Sequence, residues 1–88
     1  MEEIKINRDG ETFTGTILKH IMTISEWANG SYELNLVMWD KPINNRRMYY
    51  DFAFWDNNTR VRGQQLSDYE IRNFAHAYEI IKDLEFDI

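Results

Sequence analysis

Aromatic side chains alternate with other residues in two apolar stretches of this chain, at a spacing that suits a stacking surface. Trp39, Tyr49 and Trp55 fall at positions that would share one face of a strand pair, with Trp27 at a hairpin end and Arg47 nearby. Unpaired bases stack on such rings at about 1–3 kcal/mol each, while guanidinium groups follow the phosphate backbone. The rings therefore predict a surface for single-stranded nucleic acid. The alternative is that they pack beneath the N-terminal residues or against a partner.

Basic residues are concentrated in the middle of a chain whose net charge is −5. Residues 41–62 contain two acidic residues and five basic ones, which are Lys41, Arg46, Arg47, Arg60 and Arg62. In a hairpin of the third and fourth strands the four arginines would flank the strand ends along one sheet edge, with Arg60 and Arg62 on the same side. This arrangement predicts phosphate contacts. The alternative is that edge charges only prevent one sheet from pairing with another.

Catalytic and metal-binding patterns are absent from the sequence. His20 and His76 are the only histidines, and neither has the spacing of a metal site. The chain has no cysteine, and the acidic residues near its C-terminus follow one another along a predicted helix rather than facing each other across a cleft. We therefore expect no enzyme activity, no catalytic residue, no metal and no cofactor.

Size and composition predict one packed domain. Eighty-eight residues cannot support two cores, and 43% hydrophobic residues exceed what a disordered chain contains. The lack of cysteine and of any apolar run near 18 residues favours a cytoplasmic protein that makes no membrane contact. We expect the domain to span residues 15–88, preceded by residues 1–14 as an N-terminal arm or a short hairpin.

Period-two alternation predicts four antiparallel strands. A strand over Gly15–Trp27 meets Asn29-Gly30, which is a hairpin signal, before a second strand starts at Tyr32. A third strand follows a loop over Asp40–Asn45, and a fourth covers Thr59–Leu66. The apolar positions of the central strands all lie on one face, which we expect to be the core face; they are Tyr32, Leu34, Leu36, Met38, Met48, Tyr50, Phe52 and Phe54.

A capping box of Ser67 and Glu70 predicts a helix from Asp68 onward. The predicted fold is thus α+β, a twisted four-stranded sheet followed by one C-terminal helix. One apolar stripe of the helix should pack on the sheet; its residues are Ile71, Phe74, Ala75, Tyr78 and Ile81. Ala77, Ile80 and Leu84 form a second apolar strip. Because a monomer would leave that strip in water, we expect a homodimer joined through the helix.

The order and spacing of these segments resemble the positive cofactor four family of single-stranded DNA-binding transcriptional coactivators, which has small bacterial and phage members. The matching segments are Leu36–Trp39, Tyr50–Trp55 and Arg62–Ser67, followed by the helix. The resemblance covers about residues 16–84. It implies a helix-mediated dimer whose sheets form a groove for DNA, with groove candidates Lys19, Trp39, Arg47, Trp55, Arg60 and Arg62.

Residues and resemblance together predict a dimeric accessory protein of transcription or replication that binds single-stranded DNA, or RNA, with little sequence readout. A protein of that machinery is a possible further partner. The alternative function is an acidic protein-interaction module, such as a phage-type inhibitor, that uses the same aromatic surface as a protein hot spot.

Overall fold

The computed structural model describes residues 2–84, which form one antiparallel sheet and one helix. The strands are β1 (Glu3–Arg8), β2 (Glu11–Trp27), β3 (Gly30–Ile43), β4 (Arg46–Asp56) and β5 (Thr59–Leu66), and the helix is α1 (Asp68–Ile81). Each strand pairs with the next along the chain, in the order β1-β2-β3-β4-β5. The α+β class with a C-terminal helix is confirmed, but the expectation of four strands is wrong because the N-terminal stretch forms a fifth.

Short turns of left-handed residues join three of the strand pairs. Asp9 and Gly10 connect β1 to β2, and the pairs Asn44-Asn45 and Asn57-Asn58 make the two later turns, all with positive φ angles between 50° and 79°. Two consecutive positive φ angles define the hairpin turn whose twist matches that of the flanking strands. The predicted loop over residues 40–45 is therefore only a two-residue turn, and β3 continues through Pro42 to Ile43.

Irregular pairing bends β2 along its second half. Its register with β3 shifts at three places, between Ile17 and Lys19, between His20 and Met22, and between Thr23 and Ser25. Each shift inserts one extra residue in β2, which is a β-bulge and increases the local twist. The sheet consequently curls, and its two outermost strands, β1 and β5, line a common cavity of about 430 Å³.

The core lies on the inner, concave face of this curled sheet. Its buried apolar residues are Ile4, Phe13, Val37, Trp39, Ile43, Tyr49, Ala53 and Trp55. Gly15 permits the close packing, because a Cβ atom there would lie 2.6 Å from Val37 Cγ1 and 2.8 Å from the Trp39 ring. The predicted core face is therefore the wrong one. The β1–β2 hairpin covers the inner face instead. This covering is visible only in the tertiary structure.

The outer, convex face carries the residues expected in the core. Among them Tyr32 and Met48 are exposed, and the others are half-buried. The helix does not cover this face. Within residues 2–84, α1 buries none of its residues, and Phe74 and Tyr78 keep more than 60% of their surface in solvent. The expected packing of the first helical stripe on the sheet is thus wrong for the single chain.

The start of α1 is capped as predicted. The Ser67 hydroxyl accepts a hydrogen bond from the Glu70 N–H, and the Ser67 N–H donates to Glu70 Oε1 at 2.8 Å. The hydrogen bond from the Ser67 N–H is the main reason that the pKa of Glu70 lies below its usual value of 4.5, and the hydrogen bond with the Ser67 hydroxyl is the second. At its other end the helix stops at Ile81 with Lys82 as the cap, so Leu84 lies beyond the helix rather than on its second strip.

The lowered pKa of Glu70 predicts a pH dependence of the helix. A carboxylate whose pKa is lower in the folded state stabilises that state above the unfolded pKa, and the contribution disappears as the pH falls through the folded value. We expect circular dichroism to show helix loss below about pH 4.5. Glu70→Gln keeps a capping side chain without the titration and should show a smaller loss. Equal pH profiles for the two proteins would contradict the assignment.

Candidate nucleic-acid interface

Three of the aromatic residues predicted to form an exposed platform are buried. Trp39 is fully buried, and Tyr49 and Trp55 keep only 8% and 6% of their surface in solvent. Trp39 Nε1 donates to Gln65 Oε1 at 2.9 Å, and the Tyr49 hydroxyl donates to the Ile43 carbonyl at 2.6 Å. The expectation that these rings are presented to solvent is wrong, because the curl of the sheet and the β1–β2 hairpin enclose them.

The predicted arginines do not gather along one edge. Arg46 begins β4 whereas Arg60 lies opposite Trp55, nine residues further along that strand and so about 30 Å away. Arg60 and Arg62 also point to opposite faces, because the register of β4 with β5 shifts between Phe54 and Trp55. One extra residue at that shift reverses the side of the sheet on which the following residue lies. The expectation that the two arginines share a side is therefore wrong.

The predicted basic residues lie in separate environments. Arg60 forms a buried ion pair with Asp51 at 2.7 Å. Arg47 Nε donates to the Trp39 carbonyl at 2.8 Å, and the Arg46 guanidinium lies 5.7 Å from the centre of the Tyr49 ring. Lys19 is exposed opposite Leu36, on the outer face. Arg60 is thus part of the core, whereas the exposed Lys19 side chain can contact a ligand.

An outer aromatic cluster, consisting of Trp27, Tyr32, Phe52 and Phe54, occupies the convex face near the β2–β3 turn. The Trp27 and Phe54 rings stack at 5.7 Å with only 9° between their planes, and Tyr32 stacks on Phe52 at 5.7 Å and 20°. Trp27 retains 47% of its surface in solvent. The sequence interpretation missed this cluster as a surface because it assigned the convex face to the core.

Two neighbours shape the cluster. Gly30 leaves space for the Trp27 indole, because a Cβ atom there would lie 3.1 Å from two atoms of that ring. The Arg62 guanidinium lies 5.2 Å from the centre of the Phe54 ring, within the range of a cation–π interaction. From Tyr32 to Met38 in β3 and from Met48 to Phe54 in β4, the outer-face positions contain no carboxylate. The convex face can therefore accept a planar, negatively charged ligand despite the acidic chain.

A second feature of the convex face is an apolar cleft between the sheet and α1. It encloses about 340 Å³ and is lined only by apolar side chains, which are Ile24, Leu34, Phe52, Leu66, Ile71 and Phe74. A cleft without polar groups offers no orientation to a polar substrate. It can accept apolar side chains from another protein surface.

Comparisons with protein family models, curated proteins and solved structures found no match. Among residues 2–84, no group of three or more His, Asp or Glu side chains is placed to hold a metal ion. In the same range no helix has the length and apolarity needed to cross a membrane.

Proposed function

We propose that the protein is a homodimer that binds single-stranded nucleic acid through the outer aromatic cluster. The observation that supports this proposal is the stack of the exposed Trp27 ring on the half-buried Phe54 ring, with the Arg62 guanidinium over Phe54. Exposed rings offer their faces to unpaired bases, and a guanidinium beside them can contact a phosphate. A duplex hides the faces of its bases, so single strands are preferred.

The charge distribution sets the expected character of binding. Arg62 and Lys19 lie on the convex face, whereas the chain as a whole carries −5. Few phosphates are neutralised, so stacking supplies most of the binding free energy and the sequence of the strand matters little. Such a protein is suited to hold strands that are exposed during transcription or replication.

The exposed surface supports the dimer. The accessible surface is 6699 Å², whereas a compact monomer of 10.7 kDa exposes about 5,500 Å². The excess is larger than the roughly 800 Å² that each partner buries in a standard interface. Phe74, Tyr78 and Ile80 of α1 and the neighbouring apolar cleft contribute to it. A second copy brings the same apolar helix, which gives a two-fold interface around α1 and the apolar cleft. Trp27 and Phe54 do not line that cleft.

A second candidate function is an acidic protein-interaction module of the kind that phages use as inhibitors. It is favoured by the same rings together with the negative net charge, because Trp, Tyr and Arg are also enriched in protein hot spots. The dependence of binding on salt concentration distinguishes the two functions. Nucleic-acid binding weakens as salt is added, whereas an aromatic protein interface barely responds.

Fluorescence anisotropy with labelled oligonucleotides tests the proposal directly. Single-stranded DNA and RNA should bind more tightly than a duplex of the same length, and the affinity should fall between low and high salt. Equal or tighter duplex binding would overturn it.

Truncation of the exposed indole should weaken single-strand binding without unfolding the protein. Trp27→Ala removes one stacking face, so we expect a loss of about 1–3 kcal/mol, or roughly 5- to 150-fold in Kd. Tyr69→Ala is the matched control, because Tyr69 is a solvent-exposed aromatic residue on α1, outside the cluster. Equal affinities for Trp27→Ala and the unmodified protein would exclude the cluster as the stacking surface.

A further inference from the structure

The two outermost strands, β1 and β5, border one gap in the curled sheet. The cavity of about 430 Å³ between them is lined by consecutive residues of both strands, Lys5–Arg8 and Arg60–Gln65. Neighbouring residues of a strand point to opposite faces of the sheet, so a cavity over one face would be lined by every second residue. The cavity therefore lies beside the edges of the two strands, where backbone N–H and C=O groups are presented.

The two edges do not pair with each other. Within residues 2–84, β1 pairs only with β2, and β5 pairs only with β4. Nearly all Cα–Cα distances between β1 and β5 exceed 8 Å, whereas direct pairing brings opposite Cα atoms to about 4.5–5.5 Å. A strand inserted between two others separates them by two strand spacings, or about 9.6 Å. A gap that is too wide for direct pairing, but narrow enough for both edges to line one cavity, suits one added strand.

Strand direction also favours one added strand. All four pairs of neighbouring strands are antiparallel, so β1 and β5 run in the same direction within the sheet. Direct closure would therefore create a parallel pair, which is slightly less stable per residue. A sixth strand that runs the opposite way is antiparallel to both edges and can pair with the free backbone groups of both.

The side chains around the gap select the charge of that strand. Four of the lining residues are basic, and none of the lining residues that the structure describes is acidic; the basic ones are Lys5, Arg8, Arg60 and Arg62. Arg60 is already neutralised by Asp51, which leaves three positive charges beside the gap. Such a surface repels a basic segment and attracts carboxylates.

The two faces of the gap differ in polarity. Ile6 packs against the core, so Lys5 beside it points to the outer face, where Arg62 also lies. An acidic side chain on the outer face of the added strand would lie between these two basic residues. On the inner face the added strand would meet Ile6 and Gly63, which lies opposite the buried Ala53. The matching sequence alternates acidic and apolar residues.

We propose that the gap binds an extended acidic segment of a partner protein, which adds a sixth strand and closes the sheet. A phosphate backbone is the other anionic candidate, but it offers only acceptors, whereas a strand edge presents carbonyl groups as well as N–H groups. A peptide backbone supplies both donors and acceptors at the spacing of the two edges. The proposal does not rest on the proposed function, since the outer aromatic cluster lies on one face of the sheet and the gap lies at its edges.

Calorimetry with capped hexapeptides tests the proposal. The stretch Lys5–Arg8 spans about 13 Å, so six extended residues cover it. A peptide of alternating glutamate and valine should bind, and one of alternating lysine and valine should bind at least about tenfold more weakly. Methylation of every second backbone nitrogen removes the donors to one edge and should weaken the acidic peptide at least about tenfold. No binding of the acidic peptide, or equal binding of its methylated form, would overturn the proposal.

Hydrogen exchange locates the bound peptide. The acidic peptide should slow the exchange of backbone amides in Lys5–Arg8 and Arg60–Gln65 at least about tenfold, and leave those of α1 unchanged. Protection of α1 alone would contradict strand addition. Protection of the β1 and β5 amides by oligothymidine, but not by the acidic peptide, would overturn the proposal and assign the gap to a nucleic-acid backbone.

Lys5→Glu tests the selection of charge. Lys5 is exposed, so the variant should fold; it should bind the acidic peptide roughly 3- to 10-fold more weakly and the lysine-containing peptide more tightly. Arg72→Glu is the matched control, with the same change of charge at an exposed residue of α1, and should bind both peptides normally. Equal affinity of Lys5→Glu and the unmodified protein for the acidic peptide would overturn the role of Lys5.

Oligonucleotide binding separates this proposal from the proposed function. Peptide binding by a protein that ignores oligonucleotides would support the gap as a peptide site and overturn the proposed function. Binding of oligothymidine without binding of the acidic peptide would leave the single-strand function standing and overturn the peptide site. Loss of single-strand binding in Trp27→Ala with normal peptide binding would support two independent sites.

Discussion

Replacement of Asp51 by alanine should destabilise the protein by about 3–5 kcal/mol, because it leaves a buried guanidinium without a partner. Asp51 is fully buried, and the Arg60 side chain is 8% exposed. The carboxylate accepts two hydrogen bonds from Arg60, at 2.7 and 2.9 Å, and one from Gln65 at 2.5 Å. Gln65 in turn accepts from the Trp39 indole, so one substitution disrupts the polar network of the core.

Urea unfolding followed by tryptophan fluorescence measures this effect. A domain of this length has a total stability of roughly 4–13 kcal/mol, so the Asp51→Ala variant should be partly or wholly unfolded. Asp56→Ala is a matched control on the same strand, where the residue is exposed, and should change stability by less than about 0.5 kcal/mol. Replacing Asp51 and Arg60 together by leucine and methionine should restore much of the loss. A loss below about 1 kcal/mol for Asp51→Ala would contradict the importance of the pair.

Placing charges at Ile80, in the last turn of α1, and at Leu84, just beyond the helix, should convert a dimer into a monomer. Ile80 and Leu84 keep 58% and 49% of their surface in solvent in the single chain, and Ala77 beside them is small enough for two helices to approach closely. Ile80→Glu with Leu84→Glu brings charge into the proposed interface, where burial without a partner costs several kcal/mol.

Light scattering at micromolar concentration should give about twice 10.7 kDa for the unmodified protein and the monomer mass, or an unfolded chain, for the double variant. Arg72→Glu with His76→Glu introduces two glutamates at exposed polar positions of the same helix, away from Ile80, and should leave the dimer intact. A stable monomer for the unmodified protein would end the homodimer proposal.

Local signals predicted most of the elements. The alternating pattern gave the central strands, Asn29-Gly30 marked the turn between β2 and β3, and the Ser67–Glu70 capping box marked the start of α1. Each of these signals depends on residues close together in the chain. The N-terminal strand could not be predicted with certainty of type, because a short Asp-Gly turn between few apolar residues is compatible with both a hairpin and an arm.

The choice of core face could not be made from alternation alone. Both faces of β3 and β4 carry apolar residues. The inner face also carries Asn35 and Asp51, and such polar residues are typical of a solvent-exposed face. Their partners, His20 and Arg60, come from neighbouring strands, and their burial depends on cover from the β1–β2 hairpin. The position of the outer aromatic cluster follows from this choice, so the cluster could not be located without knowing which face of the sheet is covered.

The sequential order of the strands has a consequence for folding kinetics. Since every strand pairs with its immediate predecessor, no strand must wait for a distant segment of the chain before its hydrogen bonds can form. Sheets with such local connections fold faster than sandwiches and barrels that join remote strands, because less loop-closure entropy is lost before contacts form. During synthesis, β2, β3 and β4 can pair one after another as they leave the ribosome, with Arg60 of β5 arriving last to neutralise Asp51.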